Sequence, residues 1–249
     1  MKDINRQYSE GRLTLTLNRP EALNALTPRM LETLRAEIDR AESDESVGVI
    51  VITGAGRAFS AGVDLKSLGQ RAIQNGAVGP IFDVPGRALI QRIETVPKLV
   101  IARVNGFCFT GALEMVLACD LIVAASEAKF GDTHAKFGIR PSWGMSQRLP
   151  RRVGMLLARE LSYTAKTFSG SEALAMGLAN HAPPLAELDS TVDALCEQIL
   201  ANSRGAIAAY KDLYRSTEGM RLDEGLDYEA RTEYAIDDSQ ARIDSFSRR

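Results

Sequence analysis

The stretch LVIARVNGFCFTGALEMVLA, residues 99–118, decides the fold. Residues 99–104, apolar but for Arg103, read as a buried strand. Asn105-Gly106 interrupts it, and a short helix follows from about Gly111 to Ala118. The N–H groups of a first helical turn have no intrahelical partner, and the helix dipole there favours negative charge. A buried strand that feeds a helix start through a tight loop therefore makes a place to stabilise an oxyanion. Glu114 falls in that turn, where the dipole also favours its carboxylate form; a plain helix-stabilising carboxylate is the simpler reading of it.

The same order recurs outward from this stretch. Residues 12–17 (RLTLTL) alternate as a half-buried strand, stopped by Pro20. Thr27 is placed to cap a helix with Pro28 at its first position, and Leu31, Leu34, Ile38 and Ala41 keep helical spacing. Residues 47–53 (VGVIVIT) read as another buried strand, 86–96 as a helix, and Leu121 to Ala125 as a further strand. This alternation predicts an α/β core of repeated ββα units. Residues 69–86 hold Gly69, Gly76, Gly79, Pro80, Pro85 and Gly86, and read as a mobile surface excursion. After Pro183-Pro184 the strand signal ends. Leu188, Val192, Leu195 and Ile199, then Ile207, Tyr210, Leu213 and Tyr214, trace helical stripes. The division predicted is a core over residues 1–184 and a helical region over 185–249 that packs on a partner subunit.

Composition narrows the function. With 249 residues, 45% hydrophobic and 25% charged, the chain is an ordinary globular protein, and a net charge of −2 gives no general pull toward nucleic acid or anionic membrane. The start, MKDINRQYSEGR, is polar, with no signal or transit pattern and no apolar run of bilayer length, so a cytoplasmic address is expected. Cys108, Cys119 and Cys196 form no C-x-x-C pair and their number is odd, which argues against a disulfide framework. His134 and His181 are the sole imidazoles, so no metal site is expected.

The segment Gly54 to Lys66 (GAGRAFSAGVDLK) follows a strand. It is not a dinucleotide fingerprint, because Phe59 stands where the third glycine of G-x-G-x-x-G belongs. It is not a nucleophile elbow either, because Ala58 replaces the first glycine of G-x-S-x-G. Its small residues at 60–62 let a ligand approach the backbone and use exposed N–H groups.

Ser60-Ala61-Gly62-Val63-Asp64-Leu65, followed by Val104-Asn105-Gly106, then Gly111-Ala112-Leu113-Glu114 and Cys119-Asp120, resembles the crotonase (enoyl-CoA hydratase/isomerase) superfamily. The opening Leu17-Asn18-Arg19-Pro20-Glu21-Ala22-Leu23-Asn24-Ala25-Leu26 and the later Gln147-Arg148-Leu149-Pro150 match it too, so the likeness runs from about residue 10 to the C-terminus. The resemblance implies a crotonase-like spiral with C-terminal trimerisation helices, an acyl-CoA substrate of fatty acid metabolism, and a trimer or hexamer. It implies no separate cofactor, coenzyme A being part of the substrate, and no nucleic-acid or membrane partner. It places the oxyanion hole at the N–H groups of Ala61 and Gly111, and coenzyme A along Ala61, Gly62, Val63, Asp64 and Leu65. Glu114 falls on the family's first catalytic glutamate.

His134 falls on the second. An imidazole can transfer protons near neutral pH, at another height and angle than a carboxylate. Asp132 is placed either to orient His134 or to cap the short helix of residues 133–136. Thr110-Gly111-Ala112 stands where the family often has three glycines, and Ser142 where some members carry an aspartate, which disfavours the reactions that need that acid. Trp143 is expected to shape the acyl pocket or pack in the core. The implied reaction is hydration of trans-2-enoyl-CoA to 3-hydroxyacyl-CoA. The alternatives are enoyl-CoA isomerisation, acyl-CoA decarboxylation, or acyl-CoA binding without turnover.

Overall fold

A computed structural model describes residues 3–69, 71 and 73–248. The chain opens with an antiparallel pair, β1 (Ile4–Ser9) and β2 (Arg12–Leu17), and then forms α1 (Pro28–Ser43). The Thr27 hydroxyl accepts the Met30 N–H at the start of α1, and Met30, Leu31, Leu34, Ile38 and Ala41 are buried, as the spacing predicts.

Three successive units follow: β3 (Val49–Gly54), β4 (Ala58–Ser60) and α2 (Pro80–Thr95); β5 (Leu99–Val104), β6 (Phe107–Phe109) and α3 (Gly111–Leu117); β7 (Leu121–Ala124), β8 (Lys129–Gly131) and α4 (His134–Phe137). The first strand of each unit joins one sheet, ordered β1-β2-β3-β5-β7, in which β2, β3, β5 and β7 run parallel. The second strand joins the other sheet, β4-β6-β8, which ends on the antiparallel β9 (Phe168–Ser169). The short strands thus stack in step with the long ones, which is the expected ββα repetition. Helices α5 (Met145–Val153), α6 (Met155–Thr164) and α7 (Gly170–Ala175) complete this part of the chain.

The stretch 69–86 is not one surface excursion. Gly79 caps α2, Pro80 occupies its first position, and Pro85 lies inside the helix. Phe82 and Gly86 are buried there, so packing holds the segment helical despite the backbone hydrogen bond that Pro85 cannot make. Gln70 and Ala72, within the same stretch, lie outside the described residues, as do Met1, Lys2 and Arg249 at the ends.

Among the described residues, four α-helices follow Pro184: α8 (Leu188–Leu200), α9 (Arg204–Thr217), α10 (Leu222–Arg231) and α11 (Ser239–Ser247). The first two belong to the core. Leu188, Val192 and Cys196 of α8 are buried, and the Lys211 ammonium of α9 donates to Ile93 O at 2.8 Å, Lys98 O at 2.9 Å and Asp120 Oδ2 at 2.7 Å. By contrast α10 and α11 bury no residue. Among the described residues, no helix is long and apolar enough to cross a membrane.

Candidate active site

The N-terminal signature earns its place by supporting the loop after β4. Asn24, fully buried in the left-handed region at φ 55°, donates to Ala55 O and Ala58 O at 2.9 and 2.8 Å. Arg19 donates to Ala25 O and pairs with Asp64 at 2.9 Å. The other Asp64 oxygen caps the 3-10 turn Leu65–Leu68 by accepting the Lys66 N–H. Asp64 is therefore a brace for the loop, and Leu65 reaches the surface at 40% exposure.

The backbone of this loop corrects one assignment. The Ala61 N–H donates to Leu23 O at 2.9 Å, so it is not available to a thioester oxygen. Gly62, at φ +94°, then turns the chain, and the Asp64 N–H also bonds back toward the N-terminal loop, at Leu26 O. Leu26 bridges Val63 through Gly62 O and Asp64 N, which leaves the Val63 N–H directed away from Leu26. A Cβ on Gly62 would lie 2.9 Å from Phe109 O and 3.6 Å from the Gly111 N, so this turn abuts the start of α3. Among the described residues the Val63 and Gly111 N–H groups donate to no acceptor, so this pair, and not Ala61 with Gly111, is open to a ligand oxygen. Gly111 itself stands at the first position of α3, where no intrahelical partner exists.

Glu114, one turn along α3, is 2% exposed. Its Oε1 accepts the N–H groups of Trp143 at 2.9 Å and Met145 at 3.0 Å. The start of α5, more than the start of its own helix, supplies the donors that hold this carboxylate. Burial raises the Glu114 pKa; His134 and the two N–H groups pull it down without cancelling that effect. Its Oε2 faces His134 Nε2 across 3.6 Å. On the other side of the ring, His134 Nδ1 meets Asp132 Oδ1 at 2.6 Å. Burial works against the Asp132 charge, but hydrogen bonds from His134 and Ser162 outweigh it and keep that carboxyl below its ordinary value.

The two halves of the site are tied together. The Thr110 N–H donates to Gly131 O at 3.0 Å, and the Thr110 and Thr133 hydroxyls share a hydrogen bond. Trp143 closes the rear. A Cβ on Gly86 would sit 2.1 Å from its ring, and one on Gly111 3.0 Å, so the indole is wedged between α2 and α3. Trp143 lines a 650 Å³ cavity with Ser142 and Arg148, separate from a 450 Å³ cavity beside His134 walled by Ile139, Met145, Leu149 and Tyr163. The Ser142 hydroxyl donates to Asp83 at 2.6 Å. Sequence reasoning missed the Trp143 and Met145 N–H groups and Ser162; nothing in those side chains marks them.

Known proteins match this chain in sequence and fold. Residues 7–247 match the model of the Enoyl-CoA hydratase/isomerase family. A probable peroxisomal enoyl-CoA hydratase 1 of Arabidopsis thaliana is 38% identical, over 88% of this chain and 80% of that protein. A short-chain-enoyl-CoA hydratase of Clostridium acetobutylicum is 35% identical, over 89% and 84%. The crystal structure of an enoyl-CoA hydratase from Bacillus anthracis superposes with a TM-score of 0.87 at 31% identity, covering 92% of this chain and 89% of that one. The chain belongs to the enoyl-CoA hydratase/isomerase family.

Proposed function

We propose that this protein is an enoyl-CoA hydratase, a lyase that adds water to trans-2-enoyl-CoA and yields 3-hydroxyacyl-CoA, a reaction of fatty acid metabolism. The observation that carries the reading is the buried pair of Glu114 Oε2 and His134 Nε2, 3.6 Å apart beside two free backbone donors. The thioester oxygen lies between the Val63 and Gly111 N–H groups, which stabilise the charge that develops as the enolate forms. Ionised Glu114 accepts a proton from water as its oxygen bonds to C3. His134, protonated at Nε2, gives its proton to C2. Glu114 is then neutral and the ring neutral, and return of the Glu114 proton to Nε2 resets the pair. Coenzyme A enters as part of the substrate, along the loop from Gly62 to Leu65.

A panel of trans-2-enoyl-, 3-enoyl- and malonyl-type CoA esters with mass-spectrometric product identification tests this reading. Addition of one water to the 2-enoyl esters supports it. Double-bond movement, loss of carbon dioxide, or binding without turnover replaces it with isomerase, decarboxylase or binding protein respectively. The exposed apolar side chains of the C-terminal helices, Tyr214, Leu222, Leu226 and Phe246, support assembly as a trimer or a pair of trimers. Light scattering at micromolar concentration checks it, and an active monomer sinks it.

A further inference from the structure

A histidine that does a glutamate's work must solve two problems. Its ring has two chemically distinct nitrogens, and the proton can sit on either. It also has to carry positive charge in a buried place, which burial opposes. Both problems are met by one neighbour. Asp132 Oδ1 lies 2.6 Å from His134 Nδ1 and also accepts the His134 backbone N–H at 3.3 Å. Asp132 and His134 are 3% and 7% exposed, and the Ser162 side chain holds the same carboxyl from α6. The loop that carries them is fixed to the residue before Gly111 through Thr110.

We propose that Asp132 is a positioning residue for this reaction: it holds His134 with Nδ1–H toward itself and so commits Nε2 to Glu114 and the substrate. The proposal takes from the hydratase reading what the pair does, and from geometry how the ring is held. The groups around the ring are few. Asp132 faces it from the preceding loop and Glu114 from α3, while Arg159 and Tyr163 of α6 line the cavity beside it and α5 brings no titratable side chain there. Two carboxyl groups thus flank one imidazole ring. Without the Asp132 charge the shared proton moves to Glu114, which burial already favours in the acid form. The base and the acid are then lost together.

This arrangement has an unusual consequence for the family's own glutamate. His134→Glu alone places three carboxyl groups in a row, because Asp132 stays beside the new one, and like charges at that range cannot all ionise. Neutralising Asp132 should therefore harm the natural enzyme and help the His134→Glu enzyme.

The experiment measures kcat and KM against pH, on a trans-2-enoyl-CoA, for the wild type, Asp132→Asn, His134→Glu and the double variant. Side-chain ¹⁵N NMR of the imidazoles accompanies it. With two histidines in the chain, His181 serves as the internal control. Asp132→Asn is expected to lower kcat by roughly a hundredfold or more with KM nearly unchanged. Its pH profile should differ from that of the wild type, because the proton shared by Glu114 and His134 has lost the neighbouring Asp132 charge. In the wild type the His134 spectrum should show the Nδ1–H form once the ring is neutral, and Asp132→Asn should change it while His181 stays put. Adding Asp132→Asn to His134→Glu should raise kcat about tenfold.

A wild-type rate and pH profile in Asp132→Asn overturns the proposal, as does an unchanged His134 spectrum. Equal damage by Asp132→Asn in both backgrounds marks Asp132 as merely structural and overturns it as well. If the wild type hydrates no 2-enoyl ester, the hydratase reading fails by that result, and the NMR comparison still decides how the ring is held.

Discussion

Gly111 offers the sharpest test of the backbone donors, because alanine there keeps the N–H and proline removes it. Gly111→Ala keeps the donor and adds a Cβ, which would meet Trp143 Cζ3 at 3.0 Å and Val63 Cγ1 at 3.4 Å. Carbon contacts are most favourable at about 3.5–4.0 Å, so the indole has to give way slightly. Overpacking of this kind costs about 1–3 kcal/mol of stability. Gly111→Pro adds the same Cβ, removes the N–H and puts its ring Cδ where the hydrogen stood. Proline is well tolerated at a first helical position, where Gly111 stands, so the helix itself should survive. Removal of one oxyanion donor costs about a hundred- to a thousandfold in kcat, or about 2.7–4 kcal/mol of transition-state stabilisation. That factor is expected between the alanine and proline variants. Loss of the conjugated thioester absorbance of a short enoyl-CoA gives kcat, and near-UV circular dichroism confirms that both variants are folded. A folded Gly111→Pro protein with the alanine variant's kcat would falsify the role of this N–H.

Three further outcomes follow from the same contacts. Glu114→Gln should lose about a hundred- to ten-thousandfold in kcat, and in the wild type the acidic limb of kcat/KM should lie above the ordinary glutamate value of about 4.3, because burial raises this carboxyl. The linked stability has a definite sign. A carboxyl raised in the folded state stabilises below its unfolded value, and that contribution is lost as pH rises through the folded value. Glu114→Gln should therefore melt above the wild type near pH 8, and the gap should close toward pH 4; the same gap at both pH values refutes this. Lys211→Ala removes three hydrogen bonds and leaves Asp120, whose pKa burial raises and Lys211 lowers, without its cation. Breaking a buried pair costs about 3–5 kcal/mol, which for a chain of this size lowers Tm by roughly 6–20 °C. A calorimetric Tm within two or three degrees of wild type, on the order of a single kcal/mol, contradicts it.

Much of the fold was legible because the long strands and α1 are long enough to show a period. β3 and β5 are apolar but for Thr53 and Arg103, and α1 repeats buried residues at helical spacing after a threonine cap. β4, β6 and β8 have three residues each, too few to show any alternation, and they become visible only as one sheet. β1 buries Ile4 alone and pairs only with β2, so a polar edge strand carried no apolar signal. Punctuation misled at α2. Gly79, Pro80 and Pro85 suggest a loop, yet a glycine cap and a first-position proline are how a helix can begin. At the C-terminus the apolar stripes marked helices correctly but could not say which face meets the core. The three acceptors around Lys211, two on residues 93–98 and one on Asp120, decide that for α9.

The site divides along a similar line. Motif order pointed to Gly111, Glu114 and His134, since each lies in a short segment whose neighbours in sequence are also its neighbours in space. The donor opposite Gly111 depends instead on which way one peptide points. In an extended chain successive N–H groups alternate in direction, so Ala61 and Val63 should point alike. Gly62 at φ +94° breaks that rule: the N–H groups of Ala61 and Asp64 both turn toward residues 23–26, and Val63 between them is released. A glycine permits that φ without requiring it. The requirement comes from Leu23 O and Leu26, held where they are by the buried Asn24 and by Arg19. The N-terminal signature thus acts forty residues away, by consuming one backbone donor and freeing the next but one. No reading of residues 60–65 alone contains that information.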